Sequence, residues 1–301
     1  MFRGRIAALL VLLAALLLVA PGSAAAKQKP RPAFPVTIKA ANGNVTIAKR
    51  PTRIVSLSPS TTEDLYAVGA GRQVVAVDEL SNYPARAPRT KLSGYTPNVE
   101  AIAGYRPDLV ILRSEAGVAQ LRRLGITVLQ LKEAGDLAQA YGQVLQVGRA
   151  TGHTRQATAV VRWMRKQITA ELRSIQGRPR QLSVYHELTT DFYSATSATF
   201  IGRVYKLLGL KNIADEATAA GPYPQLSAEF IVASNPDVIV LADSKCCGQS
   251  LSTVAARPGW GTIDAVQNRH VVAMDDDIAS RWGPRIVAFV RAVAAQVRRI
   301  S

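Results

Sequence analysis

Apolar positions along this chain fall into three regimes. The first is a single block. Arg3 and Arg5 precede an unbroken apolar run over residues 6–20, which Pro21, Gly22 and Ser23 end before Ala24, Ala25 and Ala26. A basic start, an apolar centre and a small-residue exit form an export signal over residues 1–26. A retained membrane anchor is the alternative, and the run is short for a span. No cysteine stands near the exit. The expected product is therefore an exported, extracytoplasmic or periplasmic protein, soluble after cleavage and without a lipid-modified cysteine.

In the second regime short apolar runs alternate with helical spacing. RIVSL (53–57), VVAVD (74–78), LVILR (109–113) and TVLQL (127–131) read as strands; TTEDLYAVGA (61–70), VEAIAGY (99–105) and VAQLRRLG (118–125) read as helices. Apolar strands separated by helices predict a parallel sheet buried on both faces. The third regime, residues 136–175, carries no strand signal. It reads as two helices broken at 151-TGHT-154, the second running to about residue 176. Alternation then resumes through LSVYHEL (182–188), VIVLAD (238–243) and VVAMD (271–275) to a last helix over about 284–299.

These regimes predict an α/β fold of two lobes, each a mainly parallel sheet with flanking helices. One long backbone helix joins them and a cleft lies between. The expected boundaries are a flexible leader at 27–50, an N-terminal lobe at 51–150, a connecting helix at 151–179 and a C-terminal lobe at 180–301. One line is written in both lobes: NVEAIAGYRPDLVIL at 98–112 and SAEFIVASNPDVIVL at 227–241. In each copy Asn98 or Ser227 is placed to cap a short helix, Pro107 or Pro236 ends it, and an apolar strand follows. Glu100 and Glu229 fall in the first helical turn, where a carboxylate gains roughly 0.3–1 kcal/mol from the helix dipole.

Charge and rare residues narrow the chemistry. The chain of 301 residues carries +16, and removing Arg3 and Arg5 with the signal leaves +14. No basic run is interleaved with aromatics, so the excess reads as a solvated basic surface and not as a nucleic-acid site. Cys246 and Cys247 are the two cysteines, and they are adjacent; a vicinal disulfide and a reduced pair are both open. Three histidines spread over residues 153–270 do not suggest a zinc or manganese site. A hydrolase would need more than the serines of SLSPS and a base at His186, because no G-x-S-x-G turn exists and those serines can cap the helix at 61–70.

Taken together, RIVSLSPSTTEDLYAVGA, 82-NYP-84, the two repeated lines, YPQLSAE (223–229) and RWGPRI (281–286) resemble the helical-backbone class of substrate-binding proteins of ABC importers. The resemblance spans roughly residues 50–300 and is strongest to the cobalamin-binding members. It implies a non-enzymatic, monomeric receptor that captures a bulky metal chelate and delivers it to a membrane permease dimer, with Glu100 and Glu229 as the docking carboxylates. Cobalamin is the expected ligand. A ferric siderophore or haem is the alternative, and no resident cofactor or metal is implied.

In parallel sheets ligands bind beyond the carboxyl ends of the strands. Ser58, Asn82, Tyr83, Tyr95 and Arg113 fall there in the first lobe, and Asp277, Arg281 and Trp282 in the second. The resemblance adds Tyr193 and Tyr223 as ligand-facing aromatics. It aligns Asp277 with an aspartate of the cobalamin binders and puts Tyr95 where they have tryptophan. Tyrosine offers an apolar face and a hydroxyl, suited to a flat corrinoid with peripheral amides. Arg113 and Arg281 would suit an anionic chelate. Trp163, on the long helix, is expected to pack, and Trp260 to be structural.

Overall fold

The computed structural model describes residues 34–177 and 180–300, so the export signal lies outside the described residues. The expected leader needs correction within them. Residues 36–47 form an antiparallel hairpin, β1 (Val36–Ala40) and β2 (Gly43–Ile47). Ile38, Val45 and Ile47 are buried, on the alternating positions a strand presents to one side. Asn42 and Gly43 at the tip are a hairpin turn signal. The basic, Pro-rich residues before the hairpin masked both patterns.

The first lobe follows as β3 (Ile54–Leu57), α1 (Pro59–Ala67), β4 (Val74–Val77), α2 (Val99–Gly104), β5 (Leu109–Leu112), α3 (Val118–Arg123) and β6 (Thr127–Gln130). Its strands are all parallel, in the order β4-β3-β5-β6. The hairpin turn covers the open edge of β6. Ala41 N–H donates to the Gln130 carbonyl at 3.0 Å, and the Asn42 side chain donates to the Val128 carbonyl at 2.9 Å. An exposed edge is thereby closed to pairing with another chain.

Next come α4 (Leu137–Thr151) and α5 (Thr154–Arg173), the connecting helix. At 20 residues α5 spans about 30 Å. The two helices touch at Gly148, where an added Cβ would lie 2.2 Å from the Ala157 Cβ. The second lobe is β7 (Ser183–Glu187), α6 (Phe200–Leu207), β8 (Lys211–Asn212), α7 (Ala228–Ser234), β9 (Val238–Leu241), α8 (Ser244–Cys247), α9 (Leu251–Ala255), α10 (Asp264–Gln267), β10 (Val271–Ala273), α11 (Asp276–Ser280) and α12 (Ile286–Arg299). Its parallel strands are ordered β10-β9-β7-β8.

Counted by appearance, each sheet reads second-first-third-fourth, so one topology is built twice. The repeated line is the helix before the third strand together with that strand. Asn98 accepts from the Ala101 N–H at 2.9 Å and Ser227 from the Phe230 N–H at 3.1 Å. The repeated aspartates have a further task. Asp108 accepts from the Thr52 N–H and hydroxyl (2.7 and 2.9 Å) and from the Arg53 N–H (3.0 Å). Asp237 accepts from the Ser183 N–H and hydroxyl (2.7 and 2.9 Å). Each ties the start of the third strand to the start of the first.

A single apolar cluster runs through both lobes, from Leu65 and Leu109 across Val144 and Met164 to Val184 and Phe289. Trp260 is fully buried, edge-on to Tyr185. Trp163 departs from the expected packing role: its ring is half-exposed on α5.

Candidate ligand-binding cleft

β3 and β5 are neighbours whose outgoing connections diverge, the topological switch point where parallel sheets open a crevice. Ser58 follows β3 there and Arg113 follows β5. Between the lobes lies a cavity of about 320 Å³. Ser58, Asn82, Tyr95 and Arg113 line it from the first lobe, and Asp277, Arg281 and Trp282 from the second. A shallow extension of about 530 Å³ shares Gly94, Tyr95 and Arg113 and reaches Glu133. Gly94 is required at the floor, since a Cβ there would lie 2.9 Å from both Asp78 Oδ2 and the Leu57 carbonyl. Ser58 begins α1 without a side-chain cap bond, which leaves its hydroxyl on the cavity wall.

Arg281 holds the lobes together. Its terminal nitrogens donate to Glu63 (3.1 Å), Asn82 (3.0 Å), the Leu80 carbonyl (2.9 Å) and Asp277. Glu63 is shared with Arg285 at 2.6 and 3.0 Å. The expectation that Arg281 meets an anionic chelate is therefore corrected, because four acceptors within the protein already occupy it. Burying these charges is tolerable because each finds several partners. Asp277 also accepts from Asn82 and Lys245, both at 2.7 Å. Desolvation would raise its carboxyl, but the bonds from Lys245 and Asn82 and the Arg281 charge outweigh it and hold the group below the usual carboxylate value. Asp276 accepts from the backbone N–H of Lys245 (2.9 Å) and Cys246 (2.7 Å), clamping α8 beside the cleft. Cys246 and Cys247 on α8 are joined as a vicinal disulfide.

The aromatics separate. Tyr95 stands exposed at the cleft with the Arg113 guanidinium 4.9 Å over its ring. Trp282 is 8% exposed and donates to Gln143 at 2.9 Å, so it packs as a wall more than it presents a face. Tyr83 does not line the cleft. It lies under Arg285 at 4.3 Å in a second groove with Tyr66 and Trp163, on the other side of the Glu63 ion pairs. Tyr193 and Tyr223 are exposed on the second lobe. Tyr193 bridges to Gln225, and the Tyr223 hydroxyl crosses to Glu133 of the first lobe at 3.2 Å. Burial first, then the Glu133 charge, pushes the Tyr223 phenol up to about 12.

Two contributors escaped the sequence reading. Glu133 stands just past β6, where the strand-end rule would have found it. Glu63 lies inside α1 with no such signal. His186 is buried against Phe289 with Nδ1 2.6 Å from the Tyr205 hydroxyl, and burial lowers it to about 3, unsuited to a general base. Among the described residues no group of three or more His, Cys, Asp or Glu is placed to hold a metal ion, and no helix is long and apolar enough to cross a membrane.

Two similar lobes, one connecting helix and a cleft at the strand ends meet their counterparts in known proteins. The family model described as periplasmic binding protein matches residues 54–278. The chain belongs to this family. Its architecture is that of substrate-binding proteins of ABC importers. One relative, from Bacillus subtilis, is named an uncharacterized ABC transporter substrate-binding lipoprotein and is 34% identical, with 95% of each chain covered. Another, named a cobalamin-binding protein, from Halobacterium salinarum, is also 34% identical over 95% of this chain and 83% of its own length. The crystal structure of the periplasmic vitamin B12 binding protein of Vibrio cholerae superposes with a TM-score of 0.70, covering 83% of this chain and 97% of that one at 24% identity. The family consists of transport receptors and not enzymes.

Proposed function

We propose that this extracytoplasmic receptor captures cobalamin in the cleft and presents it to a membrane permease dimer, with Glu100 and Glu229 as the docking carboxylates. The observation that carries the ligand choice is the internal compensation of the cleft's charges. Arg281 and Asp277 are satisfied by protein groups and Arg113 is paired with Glu133, so the lining sets the Tyr95 ring, the Ser58 hydroxyl and apolar surface among charges that are largely compensated within the protein. That set suits a large, flat, uncharged ligand rich in amides. The cobalamin-binding relative named above supports the same choice. The exposed phenols of Tyr95, Tyr193 and Tyr223 favour a second reading, a ferric siderophore or haem, because phenolate oxygen is a good ligand for ferric iron. Glu100 and Glu229 are both exposed and, among the described residues, take part in no ion pair. The receptor acts alone, as a soluble monomer freed by signal cleavage.

Calorimetric titration of the purified protein with cyanocobalamin tests the ligand. Saturable one-to-one binding, micromolar or tighter, is expected. Absence of saturation, with binding of haem or a ferric chelate instead, would replace cobalamin by the second reading.

A further inference from the structure

Two arginines reach the cleft cavity, and they differ in availability. Arg281 spends both terminal nitrogens on protein acceptors. Arg113 stands 4.9 Å over the Tyr95 ring and, among the described residues, has one ion-pair partner, Glu133 at 3.7 Å. Glu133 also takes the Tyr223 hydroxyl from the opposite lobe at 3.2 Å. One carboxylate therefore sits where the anionic arm of a ligand would sit, between the available guanidinium and a phenol of the facing lobe. The arrangement is open to exchange, since the Arg113 and Glu133 side chains are 32% and 43% exposed. The other charges of the extension, Glu115 and Lys132, offset one another.

We propose that Glu133 sets the charge preference of the cleft: it masks Arg113 and Tyr223, so anionic ferric chelates are disfavoured while uncharged corrinoids are admitted. An anion must displace Glu133 and then lie beside it, whereas a neutral ligand approaches a charge-balanced surface. The inference rests on the cleft being the ligand site proposed above. It also gives Glu133 a mechanical part, because the Tyr223 bond spans the two lobes as a latch that an entering ligand opens.

The experiment compares wild type with Glu133→Gln, an isosteric change that removes the charge. Two probes are titrated, cyanocobalamin and a trianionic ferric tris-catecholate. The variant is expected to bind the tris-catecholate at least about tenfold more tightly, with cyanocobalamin affinity changed less than about threefold. Equal changes for both probes, or none for either, would overturn the proposal. If wild type ignores cyanocobalamin but takes the ferric chelate, the corrinoid reading fails, while the wild-type-to-variant ratio for the chelate still decides the role of Glu133. The latch is read without any ligand. Backbone hydrogen exchange over residues 223–226 is expected to quicken in Glu133→Ala, which removes the acceptor of the Tyr223 hydroxyl, and unchanged exchange would overturn it.

Discussion

At the end of β9, Asp243 is fully buried, with both carboxyl oxygens out of reach of solvent. Its neighbour is the fully buried Glu187, whose oxygens Arg257 grips at 2.6 and 2.7 Å. Burial first, then the Glu187 charge, pushes the Asp243 carboxyl up to about 7. Between the ordinary aspartate value near 4 and about 7, the folded protein keeps a proton that the unfolded chain has released. Stability is then lost as pH rises, by up to about 1.4 kcal/mol per unit. His186 slopes the other way. Lowered to about 3, it favours the unfolded chain once pH falls below about 6.5. Asp243→Asn removes the first slope and leaves the second. Its melting temperature relative to wild type is expected to rise between pH 5 and pH 8, as circular dichroism at the two pH values would show; a constant difference would defeat the assignment. The sequence could place Asp277 and Arg281 just past a strand, because a strand end is a local pattern. It could not show that Arg281 is spent inside the protein, because Glu63, its buried partner, lies 218 positions away in a helix pattern that gives no reason to bury a carboxylate. Tyr83 missed the cleft for a related reason: the chain turns it under Arg285, and only the packed second lobe brings Arg285 there.

The repeated helix-strand unit can be tested as an element. Asp108 and Asp237 make matching bonds to the start of the first strand of their lobes, but Asp108 is exposed and Asp237 is 8% exposed. Water can replace the bonds of the former and not of the latter. Asp237→Ala is expected to cost about 1–3 kcal/mol, and Asp108→Ala about 0.5–1 kcal/mol. Urea unfolding of the two variants checks the order, and equal costs would mean that burial does not set the difference. Asp237 also pairs with Arg180, which adds to its share. Strand runs such as LVIL and VIVL were legible because a strand buried on both faces is apolar throughout. The helices were legible from their caps and from Pro107 and Pro236. The hairpin at 36–47 was not, because its alternation covers few residues and follows a basic, Pro-rich stretch. Nor was the task of the repeated aspartates, since their partners lie 54–56 positions earlier and meet them only when parallel strands align.

Across the whole molecule, the shared topology and the shared apolar cluster act together. A cluster continuous through α4, α5 and α12 couples the lobes, so ligand capture is expected to need small adjustments at the cleft and not a wide hinge. A partner that must meet both lobes then meets them in a nearly fixed arrangement. Glu100 and Glu229 begin α2 and α7, equivalent helices of the two lobes. Hydrogen bonds from its own backbone N–H and from Ser227 hold the Glu229 carboxyl below its ordinary value, so it is charged at neutral pH. Single exposed ion pairs contribute about 0–1 kcal/mol, and either Glu100→Ala or Glu229→Ala alone is expected to slow import no more than about fivefold. On the docking proposed above, losing both would remove one anchor from each half of the permease, and orientation as well as affinity would go with them. The double variant is expected to abolish uptake into proteoliposomes holding the permease, while ligand affinity stays within about twofold of wild type, because neither carboxylate lines the cleft. Parallel loss of uptake and affinity would return both glutamates to helix stabilisation. Full uptake by the double variant would place the docking surface elsewhere on the lobes.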